Sequence, residues 1–224
     1  MATITSYFEQ AQLSLAAYAT GLHSGMPNAD YEAALVHAGM TDAQAEEFAD
    51  TYTVIDQYND PFTGFSGTVF KHKDGSLHFA IRGTENLLDW VTANFRDIGA
   101  DGVAIYQGIA MFNWLQRLYG APGTEVVQYT YNLDETISTS MFAIPVGAPS
   151  LYGQATPVSV AGHSLGGHLA MMLSRLAPSR FDAVYTYNAP GFDTALRTNL
   201  FPLTSDGSVI NFVCKAPESS LPAV

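Results

Sequence analysis

Between residues 6 and 22, Tyr7, Phe8, Ala11, Leu15, Ala16, Tyr18 and Leu22 recur at spacings of three and four, the stripe of an amphipathic helix. Gly21, Gly25 and Pro27 stop it. A second helical pattern covers residues 29–50, with Thr41-Asp42 as the cap of its last stretch. From Thr51 the period shortens to two. Residues 51–58, 66–71 and 77–82 read as short strands, the last two joined through Asp74-Gly75, a strong hairpin signal. A long amphipathic helix is predicted over about residues 104–119. The stretch 121–156 mixes prolines and glycines with Tyr129, Tyr131, Met141, Phe142 and Leu151. It reads either as an excursion over a pocket mouth or as a small hairpin of 126–132 against 136–144. Residues 183–187 and 209–213 are further strands.

The chain is organised around Gly162-His163-Ser164-Leu165-Gly166-Gly167-His168. A β-branched run, residues 157–161, precedes it and a helix-forming run follows. Strand, G-x-S-x-G and helix in that order are the context of a nucleophile elbow, with the serine held on a strained turn at the sheet edge. The helix start points backbone N–H groups at the place where an oxyanion would form.

Composition narrows the partners. The 224 residues carry a net charge of −12 with 13% charged and 47% hydrophobic residues, as in a globular chain able to form one domain over residues 1–224. No Lys or Arg precedes Lys71, which argues against nucleic acid and anionic membranes as partners and leaves a neutral ester or lipid substrate open. The lone Cys214 excludes an intrachain disulfide. No His, Cys or Asp cluster has metal-ligand spacing, so no metal or organic cofactor is expected. The first twenty residues lack the basic and long apolar regions of a secretory signal. The localisation expected is cytoplasmic or exported by a signal-independent route.

Two ordered motifs, Arg82-Gly83-Thr84 followed by Asp89-Trp90, and Gly-His-Ser-Leu-Gly-Gly from Gly162, resemble those of the class 3 (fungal-type) lipases of the α/β-hydrolase superfamily. The resemblance covers roughly residues 50–215. It implies an α/β-hydrolase-like, mixed but mostly parallel sheet with helices on both faces. It makes Ser164 the nucleophile of a carboxylic ester hydrolase, a triacylglycerol lipase or esterase with phospholipase A1 activity as a variant, and Thr84 and Leu165 the oxyanion donors. Thr84 also suits a helix cap. Residues 85–98 match the family's lid, with Leu87, Leu88, Trp90, Val91 and Phe95 on its apolar face, although a fixed core helix has the same periodicity.

The resemblance departs at the triad. The aligned acid falls on Ser219, so Glu218 is the best candidate, with Asp206 and Asp193 behind it. No histidine follows His168, and the family's catalytic histidine lies after the acid. The expectation is a lipase-like domain whose carboxyl-terminal part, with the histidine, is missing. Its hydrolysis should be severely impaired, and a sheet edge left open after Val213 should favour self-association. The competing expectation is a catalytically inactive, lipid-binding α/β-hydrolase-like module.

Overall fold

The computed structural model describes residues 3–83, 104–132, 136–143, 151–154, 158–191, 201–202 and 209–210. Five helices, α1 (Ile4–Ala16), α2 (Asn28–His37), α3 (Asp42–Thr51), α4 (Ile105–Tyr119) and α5 (Leu165–Leu176), occur among them. The strands are β1 (Tyr52–Asn59), β2 (Ser66–His72), β3 (Leu77–Ile81), β4 (Glu125–Tyr131), β5 (Ile137–Ala143), β6 (Val158–His163), β7 (Phe181–Tyr187), β8 (Phe201–Pro202) and β9 (Val209–Ile210). The chain falls into two compact units, residues 1–85 with 106–190, and residues 86–105 with 191–224. The described part of the second is the short antiparallel pair β8 and β9 together with residues 104, 105 and 191.

In the first unit the strands lie in the order β1-β2-β3-β6-β7. The β1-β2 and β2-β3 pairings are antiparallel, whereas β3-β6 and β6-β7 are parallel. The fold is thus α/β with a mixed sheet, as the hairpin signal and the strand-elbow-helix pattern together predict. Pairing of Val69 with Phe79 and of Phe79 with Val160 puts these residues on one face. Phe70, Ala80 and Ala161 alternate onto the other, where they join Leu13, Leu35 and Phe48 of the first three helices and Tyr52 of β1 in one core. Phe48 stacks on Tyr52 at 4.6 Å and meets Phe70 edge-on at 5.4 Å. On the opposite face Trp114 of α4 packs edge-on against Phe79 at 5.4 Å. The indole lies over Gly67, where a Cβ would stand 2.6 Å from its ring.

Two features depart from periodicity. The stripe continues to Leu22, yet α1 ends at Ala16, where the amides of Tyr18 and Ala19 bond the carbonyls three residues back, each at 3.0 Å. That tight turn takes Tyr18 off the helix and aims it at the sheet. In β1, a bulge between Val54 and Asp56 moves Asp56 onto the face of its partner Val69. There its carboxylate accepts from Trp114 Nε1 at 2.7 Å. The stretch 121–156 contains a hairpin, β4 against β5, close to the bounds that periodicity gives.

Candidate active site at the strand to helix turn

The turn is built by glycines. A Cβ on Gly162 would strike the backbone of Gly166, and one on Gly166 would strike the carbonyl of Ile81, so β6, α5 and the exit of β3 approach as only glycine allows. Between them Ser164 adopts φ 54 and ψ −128. A non-glycine residue there costs about 1–3 kcal/mol and persists only when its surroundings fix it. The fixing bonds are backbone ones. Ser164 N donates to Tyr187 O at 2.9 Å, and Ser164 O accepts from the amides of Gly167 at 3.0 Å and His168 at 3.3 Å.

The Ser164 side chain makes no cap to the helix it precedes. Among the described residues no hydrogen bond engages its hydroxyl, and the residue is partly exposed. Leu165 opens α5, where first-turn amides have no intrahelical acceptor and the dipole is positive. A partly exposed hydroxyl beside such amides is the arrangement acyl transfer needs at its nucleophile. The exit of β3 completes the surroundings, since the Cβ direction of Gly83 points 3.3 Å from Ser164 Cβ. Thr84, the next residue, lies outside the described residues, as do Leu87, Leu88, Trp90, Val91, Phe95, Glu218, Asp193 and Asp206.

All six histidines are described, and no imidazole among them hydrogen-bonds the Ser164 hydroxyl. His23 and His37 are exposed on the surface. His72 Nδ1 pairs with Asp74 Oδ1 at 2.9 Å. His168 is fully buried, with Nδ1 3.3 Å from Pro190 O. His163 Nδ1 meets Tyr18 Oη at 3.0 Å.

His78 belongs to a network that strand periodicity does not suggest. Its Nδ1 lies 2.7 Å from Ser159 Oγ and its Nε2 3.0 Å from Ser76 Oγ. Ser159 Oγ in turn bonds Gln10 Oε1 of α1 at 3.1 Å. Burial, reinforced by the neighbouring His72, pushes this imidazole down to about 4 against the pull of Asp74 and Asp182. Among the described residues no group of three or more His, Cys, Asp and Glu is placed to hold a metal ion. No described helix is long and apolar enough to cross a membrane.

No family model matches the sequence. No curated protein matches it either. Among solved structures the chain is distantly similar to Lip2 lipase from Yarrowia lipolytica, with a TM-score of 0.45 and 17% identity over 88% of this chain and 62% of that one. Lipase II from Rhizopus niveus gives a TM-score of 0.42 and 13% identity, over 84% of this chain and 64% of that one. A lipase from Rhizopus microsporus var. chinensis gives 0.38 and 13%, over 84% and 59%. The chain therefore spans less than two thirds of the length of each of these lipases.

Proposed function

We propose that the chain is a serine ester hydrolase of the class 3 lipase kind, cleaving carboxylic esters of lipids through an acyl-enzyme on Ser164. The observation that carries this reading is the strained backbone of Ser164 between β6 and α5, which leaves its hydroxyl unengaged beside the amides of a helix start. In the reaction Ser164 Oγ adds to the ester carbonyl carbon and gives up its proton. The oxygen that becomes an oxyanion takes hydrogen bonds from the amide of Leu165 and from Thr84. Collapse expels the alcohol, which leaves with a proton, and water then releases the acid. Glu218 is the proposed acid of the triad, and the apolar side chains from Leu87 to Phe95 the proposed cover of the acyl chain.

A base is the missing part. With no imidazole bonded to the Ser164 hydroxyl, the expected rate is that of an oxyanion hole and binding alone, about 10³–10⁴ over water. This same observation favours the second reading, an inactive lipid-binding module. Turnover of a p-nitrophenyl ester and labelling by a fluorophosphonate, each with Ser164→Ala as control, separate the two. Weak cleavage and slow labelling that both vanish in Ser164→Ala support the hydrolase. Silence in both assays, with a fatty acid still bound, supports the module. Rapid turnover lost in Ser164→Ala would overturn the impaired rate and turn the search for a base to His23, His37, His72 and His78.

A further inference from the structure

We propose that Tyr18 is a positioning residue for Ser164, acting through His163; the inference deepens the hydrolase reading of Ser164 and rests on it. Tyr18 belongs to no strand or helix of the elbow. It sits in the tight turn that ends α1, 145 residues before His163, and its hydroxyl reaches His163 Nδ1 at 3.0 Å. His163 is the last residue of β6 and the residue whose carbonyl precedes the amide of Ser164.

Ser164 holds φ 54 against the preference of an L-residue, so both of its flanks must be fixed. The following flank is fixed by α5, whose Gly167 and His168 amides hold the Ser164 carbonyl. On the preceding flank the backbone of His163 pairs with Tyr187, and its side chain is tied by Tyr18. With Tyr18 donating, Nδ1 carries no proton and the ring proton is on Nε2, which sets the imidazole in one tautomer.

Gly83 ties the same hydroxyl to the exit of β3. A Cβ there would stand 2.5 Å from Tyr18 Oη, 2.5 Å from His163 O and 3.3 Å from Ser164 Cβ. One phenol therefore borders the strand that ends at the nucleophile and the strand end that leads to residue 84. Its anchorage is firm, because α1 is fastened to the sheet again by Gln10 to Ser159 at 3.1 Å and by the Tyr187 hydroxyl to the Tyr7 carbonyl at 2.5 Å. Removing the hydroxyl leaves the partly buried ring of His163 without this bond and frees the flank to relax.

Tyr18→Phe keeps the ring and removes the bond. In this variant the maximal rate of fluorophosphonate labelling at Ser164 should fall about tenfold with the half-saturating concentration unchanged, the effect of about one hydrogen bond. Exchange of the Gly167 and His168 amides should quicken by a similar factor, with the melting midpoint close to native. His163→Phe should reproduce both effects, and the double variant should be no worse than either single one.

Native labelling and native exchange in Tyr18→Phe would overturn the proposal, since packing alone would then explain the residue. A loss seen only in Tyr18→Ala would overturn it for the same reason. If the native chain never labels, the hydrolase reading fails, and the exchange of the two amides still decides whether Tyr18 fixes the turn.

Discussion

Acid should loosen α1 from the sheet through His78. The imidazole lies between Ser159 Oγ and Ser76 Oγ, and Gln10 Nε2 approaches its Nδ1 at 3.4 Å. Ser76 donates to Asp74 Oδ1 at 2.7 Å, so His78 Nε2 supplies the proton between them. Ser159 Oγ gives its one proton to Gln10 Oε1, so while the ring is neutral the bare Nδ1 accepts from Gln10 Nε2 of α1. The groups facing the ring are His72 and Asp74 of the β2-β3 hairpin, Asp182 of β7 and the ring of Tyr52. Folding holds the pKa at about 4, below the 6.5 of an unconstrained histidine. Between these values the unfolded chain binds the proton that the folded one refuses. The stability from the neutral ring is therefore complete above pH 6.5 and is lost as the pH falls toward 4.

A tenfold change in proton affinity corresponds to about 1.4 kcal/mol. The distance from 6.5 to about 4 thus makes the full loss about 3 kcal/mol, a large part of the roughly 5–15 kcal/mol of an ordinary domain. Urea unfolding at pH 7, 6, 5 and 4.5, on the native chain and on His78→Gln, measures it. Subtracting the two curves removes the carboxylates common to both. Asp74, held well below the usual carboxylate range by the hydroxyl and amide of Ser76 and by His72, gives up its contribution only below about pH 4. His78→Gln should start less stable at pH 7 and lose less on acidification. Parallel curves for the two proteins between pH 6.5 and 4.5 would refute the reasoning.

Three further outcomes are expected. Gly166→Ala forces a Cβ onto the Ile81 carbonyl and should cost about 1–3 kcal/mol in urea unfolding, with labelling of Ser164 lost before the fold is. Trp114→Phe deprives the part-buried Asp56 carboxylate of its 2.7 Å donor and should cost about 1–3 kcal/mol, read from the shift in the denaturation midpoint at constant slope. β5 is exposed along nearly its whole length and carries neither charge nor proline, as an unguarded edge strand does. Ser140→Lys on that strand should lower concentration-dependent association in sedimentation velocity, and unchanged association would acquit this edge.

Local chemistry made much of the fold legible in the sequence. Thr41 caps α3 with a capping box to Gln44, as the Thr41-Asp42 pair foretells. Asp74-Gly75 turns the β2-β3 hairpin with Gly75 at φ 96, and the glycines of the elbow demand the contacts that the turn makes. What periodicity could not carry are bonds between distant segments. The early stop of α1 at Ala16, the bulge before Asp56 and the reach of Tyr18 to His163 each depend on a partner outside the local stretch. His78 reads as an ordinary strand residue for the same reason, since its partner Ser159 lies 81 residues on. Of the candidate site, Ser164 and Leu165 could be placed, whereas Thr84, the apolar residues from Leu87 to Phe95, and Glu218 lie outside the described residues.

During synthesis α1 emerges from the ribosome long before its seat exists. Tyr7 waits for Tyr187, a separation of 180 residues, and Gln10 waits 149 residues for Ser159. Throughout that interval α1 lacks the strands β6 and β7 to which these bonds run, so nascent chains should need sheltering, and refolding from denaturant should be slow for so long a loop closure. Shortening the wait, by a circular permutant that brings the α1 segment next to the elbow strand in chain order, would speed assembly without altering any finished contact.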